Sequence, residues 1–219
     1  MVTEIIENYL KAIYELQRKY QSVPTNALAE SLSIAPASVT GMIKKLAENG
    51  FLTYTPYRGV ELTPEGMEKA LKVIRVHRLA ELYMVKMLGV PWDKVHEEAE
   101  KWEHVLSEEL EERIEALLGY PKWCPHGSPI PSREGKVEYV KSFPLTELAA
   151  GISAVIAEVD DRNPELLRYL GELGLIPGEE IELVEIAPFD SLFRIKQGES
   201  QIDIGKEAAS KILVTVIVE

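Results

Sequence analysis

Three of the chain's four histidines fall in two short stretches where glutamates recur at one-turn spacing. His77 and Glu81 are four residues apart, as are His96 and Glu100, and Glu103 and His104 follow at once. Side chains three or four positions apart on a helix stand about 5–6 Å from one another at Cβ, close enough to converge on one ion. Read as one continuous helix, residues 96, 100, 103 and 104 occupy adjoining parts of a single face. His126 follows the only cysteine, Cys124, by two residues. Every imidazole and the sole thiol thus lie between residues 77 and 126. A glutamate on a helix is ordinarily a solvated group, and a lone histidine is ordinarily structural. The joint recurrence is what predicts a divalent-metal site.

The bulk composition narrows the setting. The chain has 219 residues, enough for one large domain or a few small ones, and 46% of them are apolar, as in packed globular proteins. No apolar run approaches the roughly 18–20 residues that span a bilayer, and the N-terminus lacks a signal-peptide pattern. One cysteine cannot staple the fold, which fits a reducing cytoplasm. The net charge is −12, but it is unevenly spread. Residues 1–75 hold 9 Lys and Arg against 8 Asp and Glu, leaving the acidity to the part that carries the histidines. An acidic region attracts cations, and the near-neutral N-terminal part remains free to approach phosphates.

The elements that must position these residues form three segments. Apolar residues Ile5, Ile6, Tyr9, Leu10, Ile13 and Leu16 give Glu4 to Tyr20 a helical stripe. A short helix is expected at Asn26 to Leu32, and a third begins at Pro36 and stops at Asn49-Gly50. Two strands, 51–55 and 60–63, flank a turn at Pro56 to Gly59. This order predicts a winged helix-turn-helix, although a small α+β domain without nucleic acid shares it. On the winged-helix reading, Pro36, Ala37, Ser38, Thr40 and Gly41 face the major groove. Small residues there suit thymine methyls and DNA shape better than bidentate guanine contacts. Lys44, Lys45 and Arg58 are the candidate phosphate contacts.

Beyond Thr63 the pattern predicts a helix from about Pro64 to Leu88 and a second from about Trp92 to Leu118. Leu79, Leu82, Tyr83, Val85, Met87 and Leu88 exceed one narrow core face, which suits either a dimer interface or the monomer's own core. Pro121 to Pro131 is a rigid proline-rich loop, and the chain to about 143 reads as linker. The remainder predicts strands near 152–159, 180–186, 191–196, 201–204 and 212–218 with a helix near Pro164–Leu173, a small partly open barrel.

With these parts in view, the chain resembles the diphtheria-toxin-repressor family of iron- and manganese-dependent transcriptional regulators. The marks are Tyr9 to Leu16, Ala37 to Thr40, Leu62 to Gly66, His77 to Glu81, His96 to His104 and Cys124 to Gly127. The stretch Pro164 to Gly178 is similar to the family's SH3-like domain. The resemblance implies a mainly α fold with small β parts: a winged helix-turn-helix over 1–73, a helical metal-binding and dimerisation domain over 74–143, and an SH3-like β-barrel over 144–219. It implies a cytoplasmic, non-enzymatic homodimer without an organic cofactor. That dimer binds a palindromic operator in double-stranded DNA when loaded with Mn²⁺ or Fe²⁺, at two sites per subunit, and controls metal-homeostasis genes. Carried onto this sequence, the primary site would use Asn8, Glu100, Glu103 and His104. The ancillary site would use His77, Glu81 and His96, joined by Asp160, Asp161 or Asn163 and, as in some manganese-type members, by Cys124 and His126. Two positions depart from common members. Position 8 more often holds Met or Asp, and Lys11 stands where some manganese-type members carry a glutamate. Glu100 is the manganese-type residue where iron-type members tend to have cysteine.

Two rival readings share parts of this pattern. A winged-helix regulator of a small organic ligand would leave the His/Glu clusters structural. A metal-dependent hydrolase would need an open coordination position and a general base, and the chain has no His-Glu-x-x-His motif.

Overall fold

The computed structural model describes residues 3–217. They gather in two compact units. One holds the residues up to Val76 together with Glu103–Leu106 and Pro131–Lys136; the other holds His77–Trp102, Ser107–Ile130 and the residues from Val137 on.

The first unit begins with α1 (Glu4–Gln17), α2 (Thr25–Ser31) and α3 (Pro36–Glu48), followed by a hairpin of β1 (Leu52–Thr55) and β2 (Gly59–Leu62). The apolar stripe of α1 is buried through Ile6, Tyr9, Leu10 and Ile13, and that of α3 through Val39, Ile43 and Leu46. The hairpin pairs Leu52 with Leu62 and Thr55 with Gly59, and Val23 in the α1–α2 connection bridges to Val60. Helix α4 (Pro64–Leu88) starts as the sequence predicts. The Gly66 amide donates to Thr63 Oγ1 at 3.2 Å, while the Thr63 hydroxyl donates to the Gly50 carbonyl.

The helix expected from Trp92 to Leu118 is two helices, α5 (Val95–Trp102) and α6 (Glu108–Leu117). α5 ends at Trp102, and Ser107 caps the next helix, its Oγ accepting the Leu110 amide. Glu103 and His104 therefore sit in the turn after α5 and do not extend its face. Apolar side chains of α4 divide between the chain's own core and its surface. Leu79 and Leu82 are buried within the chain, packed as core, whereas Met87 and Leu88 are about half exposed at 48% and 54%.

The C-terminal part of the second unit is a six-stranded antiparallel sheet in the order β3-β8-β4-β5-β6-β7. Its strands are β3 (Phe143–Pro144), β4 (Ile152–Val159), β5 (Glu180–Ile186), β6 (Leu192–Gln197), β7 (Ser200–Gly205) and β8 (Ile212–Val216). Helix α7 (Pro164–Leu173) and the single turn α8 (Lys206–Ala209) accompany it. Leu167 and Leu170 of α7 enter one core with Ile156, Leu183, Phe193 and Val214. Register slips in β4 between Ile156 and Glu158, and in β5 between Leu183 and Glu185, bend the sheet as small barrels require.

Gly66 lies so close to the hairpin that a Cβ would meet the Phe51 carbonyl oxygen at 1.9 Å. Gly66→Ala is expected to destabilise the first unit by about 1–3 kcal/mol, the usual cost of overpacking. A lowered denaturant midpoint checks this; an unchanged one would mean that the hairpin yields freely.

Candidate metal centres

The first set of candidate ligands surrounds the turn after α5. His104 Nε2 is 2.8 Å from Asn8 Oδ1, and its Nδ1 is 2.6 Å from Glu7 Oε2. Glu103 Oε1 lies 3.3 Å from His104 Nε2. Glu103 is buried and His104 half-buried. Lys11, one turn beyond Glu7 on α1, donates to both Glu103 oxygens at 2.8 and 3.1 Å. The structure thus brings Asn8, Glu103 and His104 together, sets Lys11 against Glu103 and adds Glu7, which the sequence pattern did not single out. Glu7 was passed over because an acidic group in the first turn of a helix is ordinarily explained by the helix dipole. Glu100 is on α5 in the second unit, where its carboxylate is 3.7 Å from His96 Nε2. The chemistry of the set, a carboxylate pair with an amide oxygen and an imidazole, suits a hard divalent ion, although Lys11 already neutralises Glu103.

The second set surrounds Glu81, whose side chain has no exposed surface. His77 and Glu81 meet across one turn of α4, with Nε2 to Oε1 at 3.1 Å. His96 on α5 brings Nδ1 to 3.3 Å from the same oxygen and 3.2 Å from His77 Nε2. From the proline-rich loop come Cys124 and His126, both buried, and His126 Nδ1 stands 3.6 Å from Glu81 Oε2. Asp161, just after β4, places Oδ2 3.9 Å from that nitrogen.

The loop is held so that His126 offers Nδ1. Its Nε2 donates to the Trp92 carbonyl at 2.9 Å, which fixes the tautomer, and the Trp92 ring stacks on the imidazole. The His126 carbonyl accepts the Val159 amide, and the Cys124 amide donates to the Ser128 carbonyl. Gly127 has a φ of +89°, and a Cβ there would meet the Ala157 carbonyl oxygen at 2.0 Å, so only glycine lets the loop lie against β4.

Whether an ion fits can be read from what is left unsatisfied. Glu81 Oε2 and His126 Nδ1 are both buried without a hydrogen-bond partner, although they face each other. At 3.6 Å they are too far apart to bond. Such orphaned groups cost about 1–3 kcal/mol each unless something satisfies them. Donors from His77, Glu81 and His96 lie within 4.8 Å of one another, and so do those from Glu81, Cys124 and His126. Donors so placed fit a divalent ion. Without one, protons carry the positive charge. Burial alone would push the Glu81 carboxyl up, but His77, His126 and His96 hold it well below the usual carboxylate range. Burial works against protonation of His126, yet Cys124 and Glu81 raise its pKa to about 11.

Asp160 and Asn163 are spent elsewhere. Asp160 is held at a pKa of about 2: burial opposes ionisation, but bonds from Arg162 and Lys211 outweigh it. Asn163 Oδ1 accepts the Glu165 and Leu166 amides as the N-cap of α7. Among the candidates from this part of the chain, Asp161 is the one beside the donors.

On the winged-helix side, Pro36, Ala37, Ser38, Gly41, Lys44 and Lys45 are exposed along α3, as is Arg58 in the hairpin turn. Thr40 is half-buried, and its hydroxyl donates to the Pro36 carbonyl at 2.9 Å.

Comparison with known proteins bears on the whole length. Residues 1–60 match the model of the iron-dependent repressor N-terminal DNA-binding domain, and 63–132 that of the iron-dependent repressor metal-binding and dimerisation domain. Residues 143–216 match the FeoA domain. The iron-dependent repressor IdeR of Mycobacterium leprae (strain TN) is 30% identical over 225 residues, covering 97% of each chain. The chain belongs to the iron-dependent repressor family. The family's members are metal-dependent transcriptional repressors. A solved manganese-dependent transcriptional repressor in complex with manganese superposes on this one with a TM-score of 0.89 at 32% identity, covering 97% of this chain and 100% of the other. The crystal structure of T. acidophilum IdeR gives 0.79 at 33% identity, covering 99% of both.

Were His126 to hold an ion through Nδ1, its raised pKa would make metal uptake a proton-release reaction. At neutral pH the ring is protonated, and an ion that takes Nδ1 must displace that proton. Affinity at this centre is therefore expected to rise with pH, about tenfold per unit for each proton displaced, until pH nears 11. Calorimetry in buffers of different ionisation enthalpy counts the protons; none released would remove His126 from the ligands.

Proposed function

We propose that this repressor is a cytoplasmic homodimer that binds a palindromic operator when loaded with Mn²⁺ or Fe²⁺, represses metal-homeostasis genes and catalyses no reaction. The observation that carries the metal dependence is the Glu81 centre, where buried N, S and O donors converge and two of them lack partners. The proposed domains at 1–73, 74–143 and 144–219 follow the order of the three matching models, which span 1–60, 63–132 and 143–216. That no helix among the described residues is long and apolar enough to cross a membrane is consistent with this setting.

Asn8, Glu103 and His104, with Glu7 beside them, form the regulatory centre in this reading. An ion bound there would add positive charge beside Glu7, Asn8 and His104, beyond what Lys11 already gives Glu103. The residues do the rest. Asn8 and Glu7 sit on α1, whose opposite side packs in the first unit's core. α1 packs on α2 and on β2, and α2 packs on α3, the helix offered to the major groove. A pull on α1 through Asn8 therefore acts on the placement of α3. An ion shifts the DNA-competent population only by its differential affinity for that state, and about 1–3 kcal/mol of coupling changes operator affinity roughly 5–150-fold. Pro36, Ala37, Ser38, Thr40 and Gly41 then read the groove, while Lys44, Lys45 and Arg58 meet phosphates. Carboxylates, an amide oxygen and imidazole favour Mn²⁺ or Fe²⁺ over softer ions.

Operator binding measured against a panel of divalent cations, with a chelator control, tests the reading. Mn²⁺ or Fe²⁺ is expected to tighten binding and chelation to reverse it; equal affinity in both conditions would refute metal dependence. Glu103→Ala and His104→Ala are expected to cost more DNA affinity than Glu81→Ala. The reverse order would move the regulatory role to Glu81. Glu100→Ala in the same series asks whether that carboxylate belongs with Glu103 or with His96.

A further inference from the structure

The turn that joins β1 to β2 contains a residue ill suited to its backbone. The Arg58 amide donates to the Thr55 carbonyl at 3.1 Å, which closes the turn. Between them, the ring of Pro56 fixes its φ at about −65°, and Tyr57 has a φ of +65°. This is the pattern of a type II turn, whose second central position favours glycine or asparagine because a Cβ crowds the left-handed backbone. A tyrosine stands there instead. Its side chain gives the fold nothing in return, since Tyr57 is 107% exposed and its ring packs on no part of the chain. A strained backbone that carries an unpacked aromatic ring points to a contact outside the chain.

The fastening of the hairpin sets where that ring is carried. Val23 and Val60 exchange two backbone hydrogen bonds, at 2.9 and 3.0 Å, and β1 packs on α3. The turn is thereby held in the same unit as the helix offered to the major groove. Arg58, the next residue, is exposed as well. A duplex whose major groove receives α3 has a minor groove and its phosphates alongside, and short arms beside a recognition helix use that groove.

Charge and chemistry favour such a contact. Residues 1–75 hold 9 Lys and Arg against 8 Asp and Glu, so net attraction to phosphates is small. The first turns of α3 offer small side chains, which make no bidentate base contacts. Binding strength must then come partly from uncharged contacts. A tyrosine supplies a flat apolar face for the sugars that line the minor groove and a hydroxyl that donates to a phosphate oxygen.

We propose that Tyr57 is a DNA-contacting residue, its ring against the deoxyribose wall of the minor groove that flanks the segment read by α3, and its hydroxyl on a phosphate there. This rests on the reading of α3 and Arg58 as facing DNA, and adds an uncharged contact to theirs.

The full-length chain with excess Mn²⁺ first selects a duplex from random-sequence DNA, and binding to that duplex is then measured. Tyr57→Gly relieves the turn and is expected to raise the melting midpoint of the free protein by about 2–4 °C. The same change should weaken DNA binding roughly tenfold or more, as loss of a hydrogen bond to a charged group does. Tyr57→Asn, which also suits the turn, should weaken it likewise. In both variants, hydroxyl-radical cleavage should show the flanking minor-groove sugars losing protection. The dependence of affinity on salt should stay as in the unaltered protein, whereas Arg58→Gln should lower its slope by about 1 per wing. Higher stability with unchanged affinity and footprint overturns the role of Tyr57, while a loss at Arg58 keeps the wing on the DNA. Stability and affinity that fall together also overturn it, because the tyrosine then serves the fold. No loss at either residue takes the wing off the DNA and overturns the wider reading with it.

Discussion

A carboxylate without exposed surface needs positive charge within contact distance, and the second unit is arranged around meeting that need at Glu81. Two histidines reach it from helices, one of them a single turn away on the same helix and the other across the α4–α5 pair. A third arrives on a loop that has its own fastenings. Removing any of these leaves an ionised group inside protein, where Coulomb energies are several times larger than in water. Helix α4, the break before α5, the docking of the proline-rich loop on β4 and the Trp92 carbonyl all bear on where those cations stand. The sheet enters the same account through Gly127, whose lack of a side chain sets how near the loop can come.

The first-unit cluster solves a similar problem by other means. Glu103 is as deeply buried, yet it has a resident cation in Lys11, which holds both its oxygens. Its charge is met whether or not an ion is present. Glu81 lacks any lysine or arginine contact of this kind among its described partners and depends on groups that can exchange a proton for a metal. Two carboxylates of equal burial thus differ in how strongly their surroundings ask for an ion.

Much of this was legible in the chain because short-range periodicity carried it. The pairing of His77 with Glu81 follows from one turn of helix, and α7 spans Pro164–Leu173 as its Asn163 cap and Gly174 stop dictate. What could not be read locally were decisions made by competition. A face drawn through residues 96, 100, 103 and 104 assumed one helix, but α5 ends at Trp102 and Ser107 caps another, so Glu103 and His104 fall in the turn between them. Asp160, Asp161 and Asn163 are equivalent on paper. Only the fold shows that arginine and lysine claim the first, a helix N-terminus claims the third, and Asp161 is left beside His126. Glu7 was concealed for a related reason: its nearest sequence context explains it fully, and its partner is 97 residues away. Leu79 and Leu82 showed surplus hydrophobicity without revealing that the chain itself absorbs it.

Cys124 has a bearing on how the molecule withstands oxidants. Burial pushes its thiol above the usual range, and the group has almost no accessible surface. Peroxide and alkylating agents must reach the sulfur to react, so its enclosure slows them whether it stands as thiol or as a metal's thiolate ligand. As the chain's sole cysteine, it also has no intramolecular partner with which to form a disulfide. A protein that handles a redox-active ion such as Fe²⁺ therefore keeps its one oxidisable thiol out of reach of solvent-borne oxidants.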